Sequence, residues 1–310
     1  MKSRLLTAGL ILTVLITGCK KEEPKDTISG TEYGPVVEED TRTDEEKQLI
    51  MIQNCISDYN TGRIDEVEDY LNTNLHPLPI GVTSLPEISS LKELTPEPEY
   101  MENSNVSFAG SYEIAENLRA LFLIYEPTGA SFWLNGVILF QTDPEKVVKD
   151  NPEYAEYRYA LSDLLGREND ILQWLYGLNL TLAEKEGPFP GYYEVLSMGG
   201  VRPRSLDDIK AIAEQVFTKE YLEQNFYFSA FYNESAMFRE ENGTVYCAKS
   251  EMMAQQNSSS YNTHYIIAAE KKDQTVAIDL LSESMGEVQP NIRRLTLAET
   301  ENGYRLPCAY

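Results

Sequence analysis

The C-terminal third of the chain reads as a run of short β-strands, and this run limits the fold more than any other feature. Asn242-Gly243 and Asn302-Gly303 separate neighbouring segments. Asn-Gly is a favoured hairpin turn because both residues tolerate positive φ. The pattern therefore predicts an antiparallel meander. Its six expected strands lie near residues 236–240, 244–249, 263–269, 275–281, 291–298 and 303–309.

Helix signals precede this meander. Ser205 and Thr218 each stand directly before an apolar-periodic stretch, where a hydroxyl can accept from free backbone amides. A further helix is predicted from Thr43 or Asp44 to a stop at Gly62. Helices followed by an antiparallel sheet indicate an α+β fold, with the helices packed on one face of a curved sheet.

The N-terminal half gives less regular signals. The periodicity predicts helices over 64–71, 112–124 and 144–186, and a hairpin turning at Asn135-Gly136. A Pro-rich connection covers 76–100. This half loosely resembles the small α+β folds of the cystatin and SnoaL-like type. We therefore expect two domains, 44–150 and 151–310.

The chain begins like an exported protein. Two basic residues precede an apolar stretch over 5–16, and Gly18 stands directly before Cys19. This segment resembles the bacterial lipoprotein signal. The resemblance implies removal of a signal peptide, residues 1–18, and attachment of a lipid to Cys19 at the extracytoplasmic face of the cell membrane. A secretory signal with a chance cysteine and an uncleaved anchor helix are the alternatives.

Residues 19–43 are polar, charged and poor in core-forming side chains, and so predict a disordered tether. As a flexible coil, this tether spans about 25–30 Å on average. The whole chain has 26 Lys and Arg against 50 Asp and Glu, for a formal charge of −24. This charge argues against nucleic acid as a partner.

Cysteine usage is sparse. If Cys19 is lipidated, Cys55, Cys247 and Cys308 remain, so at least one thiol is unpaired. Cys55 lies on the apolar face of the first helix and is expected to be buried. A bridge between Cys247 and Cys308 stays open as an alternative to free thiols.

Catalytic signals are few. The chain has two histidines, His76 and His264, and Cys247 with His264 is the one nucleophile–base arrangement worth considering. An acidic run from Asp58 resembles the start of a calcium loop, but Arg63 replaces the glycine that such a loop needs. We therefore predict no catalytic residue, no metal ligand and no cofactor.

Aromatic residues gather between the last helix and the meander, over 226–238, and most of them are expected in the core. A long polar loop follows over 251–262. It is interpreted either as a mobile connection or as a contact loop. In the second case Ser258, Ser259, Ser260 and Tyr261 are the candidate binding residues.

The C-terminal half contains four short motifs in this order: SLDDI at 205–209, FTKEY at 217–221, FREENGTVY at 238–246 and ENGYRL at 301–306. Their order resembles the IseA-type family, inhibitors of peptidoglycan DL-endopeptidases, over about residues 153–310. The matched positions are capping and turn residues, so the resemblance assigns no contact residue.

The resemblance implies a non-catalytic protein that occupies and blocks the cleft of a cell-wall hydrolase. These hydrolases cut next to a γ-linked D-glutamate, so their clefts accept anionic substrates. Two other functions remain open: an envelope lipoprotein that binds a small ligand in a cavity of the curved sheet, and a wall-modifying enzyme. An apolar cavity lined by strand residues favours the first, and a converged Cys247–His264 pair favours the second.

Overall fold

Capping residues at both ends determine where the first helix begins and where it ends. Thr43 and Glu46 form a reciprocal capping box, in which Glu46 N–H donates to Thr43 Oγ1 (3.2 Å) and Thr43 N–H donates to Glu46 Oε2 (2.7 Å). Gly62, at φ 70°, ends the helix in a left-handed conformation. The helix Asp44–Thr61, α1, buries Ile52 and Ile56 on one face, as its apolar stripe predicts.

The computed structural model describes residues 41–62, 77–102, 105–125, 135–249 and 260–310. Within it, residues 42–310 form one compact unit. Four predictions lie wholly or largely outside the described residues: the signal peptide over 1–18, lipidation of Cys19, the tether over 19–43, and the helix over 64–71.

The remaining α-helices and all strands follow in chain order. The helices are α2 Pro98–Met101, α3 Ala155–Leu175, α4 Leu206–Ala213 and α5 Lys219–Asn225. The first six strands are β1 Thr95–Pro96, β2 Val106–Ala115, β3 Leu118–Tyr125, β4 Asn135–Thr142, β5 Leu180–Glu186 and β6 Tyr192–Met198. The last six are β7 Phe238–Glu241, β8 Thr244–Ala248, β9 Ser260–Lys272, β10 Thr275–Ser284, β11 Glu287–Thr300 and β12 Gly303–Arg305.

The strands form two antiparallel sheets. The larger has the order β1-β2-β3-β4-β11-β10-β9, with β12 also paired to β11, and the smaller has the order β5-β6-β8-β7. Helix α3 packs against β9 of the larger sheet. Helices together with antiparallel sheets confirm the predicted α+β class, while the finer likeness to cystatin and SnoaL-like folds stays a prediction.

The C-terminal elements agree with their local signals. Ser205 and Thr218 cap α4 and α5 with their hydroxyls, which accept from Asp208 N–H (3.1 Å) and Tyr221 N–H (3.3 Å). Asn242 and Gly243 have φ of 50° and 72°, as the predicted two-residue turn between β7 and β8 requires. The predicted strands form β7 to β12, but they are not one meander, because β7 and β8 belong to the smaller sheet and β9 to β12 to the larger. The last turn is Glu301-Asn302 rather than the predicted Asn302-Gly303, since Thr300 pairs with Gly303.

The helix predicted over 112–124 is wrong, because the segment forms β2 and β3 around a turn at Asn117, which has φ 61°. Strand β3 is buried on both faces. Its alternate residues pack into two separate hydrophobic clusters, Phe122 and Ile124 in one and Leu121 and Leu123 in the other. A strand buried on both faces has no polar alternation, so its apolar run resembles a helical stripe.

Two further expectations are corrected. Asn135 and Gly136 are not a hairpin turn, because they lie inside β4 and pair with Tyr125 and Ile124 of β3. The helices predicted over 144–186 are replaced by two short 3₁₀ turns, one α-helix, α3, and strand β5. Gly177 and Asn179 adopt φ of 72° and 51° between α3 and β5. Such left-handed residues end a helix and redirect the chain.

The hydrophobic core has two main clusters. One gathers α3, α4, α5 and the C-terminal strands, and the other gathers α1 with β3 and β4. The second cluster also includes Leu281 and Ile292, and β4 pairs with β11 at Gln141 and Asn291. Strands from both sides of the expected boundary at 150/151 thus share one sheet. The division into domains 44–150 and 151–310 stays a prediction.

Candidate functional site

The aromatic-rich segment after α5 divides into buried and exposed side chains. Phe226, Tyr227 and Phe231 are buried in the C-terminal cluster, as expected. Phe228 and Tyr232 instead keep 69% and 61% of their surface exposed. We call these two side chains the aromatic patch. Large exposed aromatic rings are uncommon on a protein surface that contacts only water, and they are enriched in protein interfaces.

The backbone holds the patch in place. Residues Phe228–Tyr232 form one π-helical turn, closed by a hydrogen bond from Asn233 N–H to Phe228 O (3.1 Å). Met237 N–H donates to Ser229 O (3.1 Å), which ties the turn to the start of β7. π-helical turns are rare and occur frequently at functional sites. The two exposed rings are therefore presented by an ordered turn.

The side chain of Lys210 lies beside Tyr232 of the patch. Lys210 Nζ of α4 is 5.3 Å from the centre of the Tyr232 ring and 5.5 Å from that of Phe231, within cation–π range. Lys210 Nζ also donates to Asp207 Oδ1 at 3.0 Å. Partial burial opposes its charge, but the hydrogen bonds that Lys210 donates to Asp207 and Tyr232 outweigh this and raise the pKa of Lys210. Lys210 is thus a positive charge beside one ring of the patch, Tyr232, and beside the buried Phe231.

The predicted contact loop is only partly described. Ser258 and Ser259 lie outside the described residues, and Ser260 begins β9 opposite Glu283. Tyr261 pairs with Ser282 of β10, and its ring packs edge-on against Tyr310, with ring centres 6.1 Å apart. Tyr261 is half-buried against the C-terminal cluster. Its side chain therefore contributes to packing, and only part of it is exposed on the surface.

The Cys247–His264 pair is not brought together. Cys247 is fully buried in β8, where burial raises the pKa of its thiol to about 12 and disfavours the nucleophilic thiolate. The exposed His264 bonds instead to Asp150 through Nδ1 (2.7 Å). Cys55, Cys247 and Cys308 are all free thiols, with Cys55 buried as predicted.

His264 belongs to a small charged cluster that joins β9 to the segment before α3. Asp150 Oδ1 accepts from His264 Nδ1 (2.7 Å) and from Arg158 Nη1 (2.6 Å), and Asp150 N–H donates to His264 O (2.8 Å). The hydrogen bond from His264, followed by the charge of Arg158, lowers the pKa of Asp150. The carboxyl group of Asp150 therefore stays ionised at a lower pH than an isolated aspartate does.

Replacing His264 by alanine should raise the pKa of Asp150 back toward the ordinary value of about 3.9. The folded pKa of Asp150 lies below its unfolded value, so its contribution to stability is present above the unfolded pKa and is lost as pH falls through the folded one. A carbon-detected NMR titration of the carboxyl group measures this shift. An identical Asp150 pKa in both proteins would show that the contact with His264 does not form in solution.

Metal and membrane features can be assessed over the described ranges. No group of three or more His, Cys, Asp or Glu side chains in these ranges is arranged to hold a metal ion. Asp58, where the sequence resembles a calcium loop, lies instead within α1 and is buried. None of the helices in the described part of the chain has the length and apolar character needed to cross a bilayer.

Comparisons with known proteins add little. No protein-family model and no curated protein matches the chain. A solved structure of an "Ntf2 like protein involved in plasmid conjugation" is similar at 13% identity, over 70% of this chain and 82% of that chain, with a TM-score of 0.13. Similarity at this level supports no conclusion about fold or function, so the functional argument rests on the residues described above.

Proposed function

We propose that the protein is a lipid-anchored inhibitor of cell-wall DL-endopeptidases on the extracytoplasmic face of a bacterial membrane, and that it has no catalytic chemistry of its own. The aromatic patch of Phe228 and Tyr232 is the observation that supports this most. It lies within the C-terminal region whose sequence resembles the IseA-type inhibitors, on an ordered turn between α5 and β7.

The physical case for a protein partner is the surface that the patch offers. Aromatic rings bury a large area while losing little conformational entropy, and they dominate the energy of protein interfaces when they reach a fitting pocket. A ring held by a rigid turn avoids the ordering cost that a mobile loop incurs on binding. Phe228 and Tyr232 are aromatic and are held by a rigid turn, because the turn is closed by a hydrogen bond and tied to β7.

The acidic net charge of the chain also supports a DL-endopeptidase as the partner. The chain has 50 acidic against 26 basic residues. An endopeptidase cleft that accepts a substrate with γ-linked D-glutamate should favour anionic ligands, so an acidic protein approaches it with complementary charge. Such steering raises the association rate more than the final affinity. We therefore expect association to slow as salt concentration increases.

The ligand-binding alternative has weaker support. It requires an apolar cavity lined by strand residues, whereas the inward residues Val276, Ile278 and Leu280 of β10 are fully buried in the C-terminal cluster. The enzyme alternative requires Cys247 and His264 to converge, but each has different partners. Protein binding through an exposed surface needs neither feature.

Binding to a purified DL-endopeptidase catalytic domain tests the proposal. The fragment 42–310 is suitable because it is one compact unit. We expect saturable binding that weakens when Phe228 or Tyr232 is replaced by alanine. Binding that is saturable but unchanged in both variants would place the contact elsewhere on the surface. Failure to bind any DL-endopeptidase tested would reject the partner class.

Anchoring has a separate test. Replacing Cys19 by alanine should abolish lipid attachment, because the thiol is the only acceptor that the resembled signal offers. The variant should leave the membrane fraction or remain unprocessed. Metabolic labelling with a fatty-acid analogue, followed by membrane fractionation, measures both effects. Persistent labelling of the variant would contradict lipidation at Cys19.

A further inference from the structure

A surface cleft of about 320 Å³ opens between α3 and the C-terminal strand β12. Its apolar side includes Leu164 of α3 and the Tyr304 ring, and its polar side includes Arg167, Gln215 and Arg305. The volume is at the lower end of the range of small-molecule sites. The cleft thus combines an apolar wall with two guanidinium groups, in a protein whose net charge is −24.

Arg305 is held in place without a carboxylate partner. Its Nε donates to Glu214 O (2.6 Å) and its Nη1 donates to Tyr304 O (2.6 Å). No carboxylate of the described residues lies within 4.0 Å of its guanidinium nitrogens, and no hydrogen bond from Nη2 is formed within the same residues. Five other arginines in these ranges do pair with carboxylates, namely Arg119, Arg158, Arg167, Arg202 and Arg294.

Arg167 brings a second positive charge to the same cleft. Its Nη2 donates to Gln215 Oε1 (2.9 Å), while its Nη1 lies 3.4 Å from Asp163 Oδ2, a weak ion pair. Burial, and then the charge of Arg167, lowers the pKa of Arg305. Two like charges beside one cleft repel each other unless an anion lies between them. Asp163 offsets the charge of Arg167, so the guanidinium of Arg305 is the one of these two without a carboxylate partner among the described residues.

We propose that this cleft binds a small organic carboxylate, through Arg305 and Arg167, with the carbon body of the ligand against Leu164 and Tyr304. A guanidinium presents parallel N–H donors that match the two oxygens of a carboxylate. A carboxylate fits better than a phosphate, because Asp163 also lines the cleft and disfavours a dianion more than a monoanion. This site is independent of the aromatic patch and of any hydrolase partner.

Titration with N-acetylleucine, followed by NMR of backbone amides at Gln215 and Gly303, tests the site. We expect saturable shifts with a Kd of about 1 mM, a weak affinity suited to a ligand of this size. N-acetylleucinamide is the matched control ligand because it has the same body without the carboxylate. It should bind at least about tenfold more weakly, which corresponds to one charge-assisted hydrogen-bond pair. Inorganic phosphate should not displace N-acetylleucine at equal concentration.

Arginine substitutions test whether N-acetylleucine binds in this cleft. Arg305→Gln should weaken binding of N-acetylleucine at least about tenfold, and Arg202→Gln, at an exposed arginine paired with Glu194, should leave it unchanged. If Arg305→Gln unfolds the protein, Arg167→Gln replaces it, with an expected loss of about threefold or more. Absence of saturable shifts, equal binding of the amide, unchanged binding in a folded Arg305→Gln variant, or displacement by phosphate would each overturn the proposal.

Discussion

Replacing Asp279 by alanine should lower the free energy of unfolding of residues 42–310 by about 3–5 kcal/mol, the largest effect on stability expected from a single polar side chain. Asp279 is 1% exposed in β10. Its two oxygens accept from Nε and Nη2 of Arg294 at 2.7 and 2.8 Å, and Oδ2 also accepts from Ile80 N–H at 2.6 Å. Arg294 Nη2 donates in turn to Leu78 O at 2.8 Å.

This effect is large because the substitution leaves charged and polar groups unsatisfied. Without Asp279, Arg294 becomes a largely buried charge without its partner, and Ile80 N–H loses its acceptor. The loop over 77–85 is then held less firmly to the sheet. Urea unfolding followed by circular dichroism measures the change.

The matched control is Glu223→Ala, which removes one partner of an exposed i, i+4 ion pair with Lys219 (3.7 Å). Its expected effect is under about 0.5 kcal/mol. If Asp279→Ala cost less than about 1 kcal/mol, the Asp279–Arg294 pair would behave as a solvated surface pair. Asp279 would then not be what holds the 77–85 segment to the sheet.

Replacing both aromatic-patch residues by alanine should weaken hydrolase binding by more than about a hundredfold. Each buried aromatic anchor is worth about 2 kcal/mol or more, or about thirtyfold in affinity, although the two losses need not add. Stability should change little, within about 0.5 kcal/mol for each residue, because both side chains are exposed in the free protein. Calorimetric titration of a DL-endopeptidase catalytic domain gives the affinities, and urea unfolding gives the stabilities.

Tyr159→Ala is the matched control for this pair. Tyr159 lies on α3 and is 68% exposed, similar to Phe228 and Tyr232, but it is not part of the patch. Its replacement should leave binding unchanged. An equal loss of affinity in Tyr159→Ala and in the double variant would show that exposed aromatic area in general, rather than the patch, determines binding.

Local chemistry made the C-terminal elements predictable. The caps at Ser205 and Thr218 and the turn at Asn242-Gly243 depend on residues adjacent in sequence, and each appears in the structure as expected. The same reasoning failed for 112–124, where strand β3 is buried on both faces and lacks the alternation that identifies a strand. Burial on a second face depends on distant packing partners that no short window includes.

The candidate sites depend still more on distant contacts. The density of aromatic residues over 226–238 was visible in the sequence, but which rings face outward depends on how the turn packs against the core. Asp279 and Ile80 are 199 positions apart, and Arg305 reaches Glu214 over 91 positions. Charged residues are common in this chain. No signal in the sequence therefore distinguished Asp279 and Arg305 from the many charged residues that are exposed to solvent.

Digestion of purified peptidoglycan by a DL-endopeptidase, with and without the fragment 42–310, directly tests whether the protein inhibits such a hydrolase. The fragment should slow release of muropeptides at micromolar concentration. The Phe228→Ala/Tyr232→Ala variant should fail to slow it, and Tyr159→Ala should slow it as the unmodified fragment does. An unchanged rate with the unmodified fragment would contradict inhibition of that hydrolase. Release of muropeptides by the fragment alone would contradict the claim that the protein is non-catalytic.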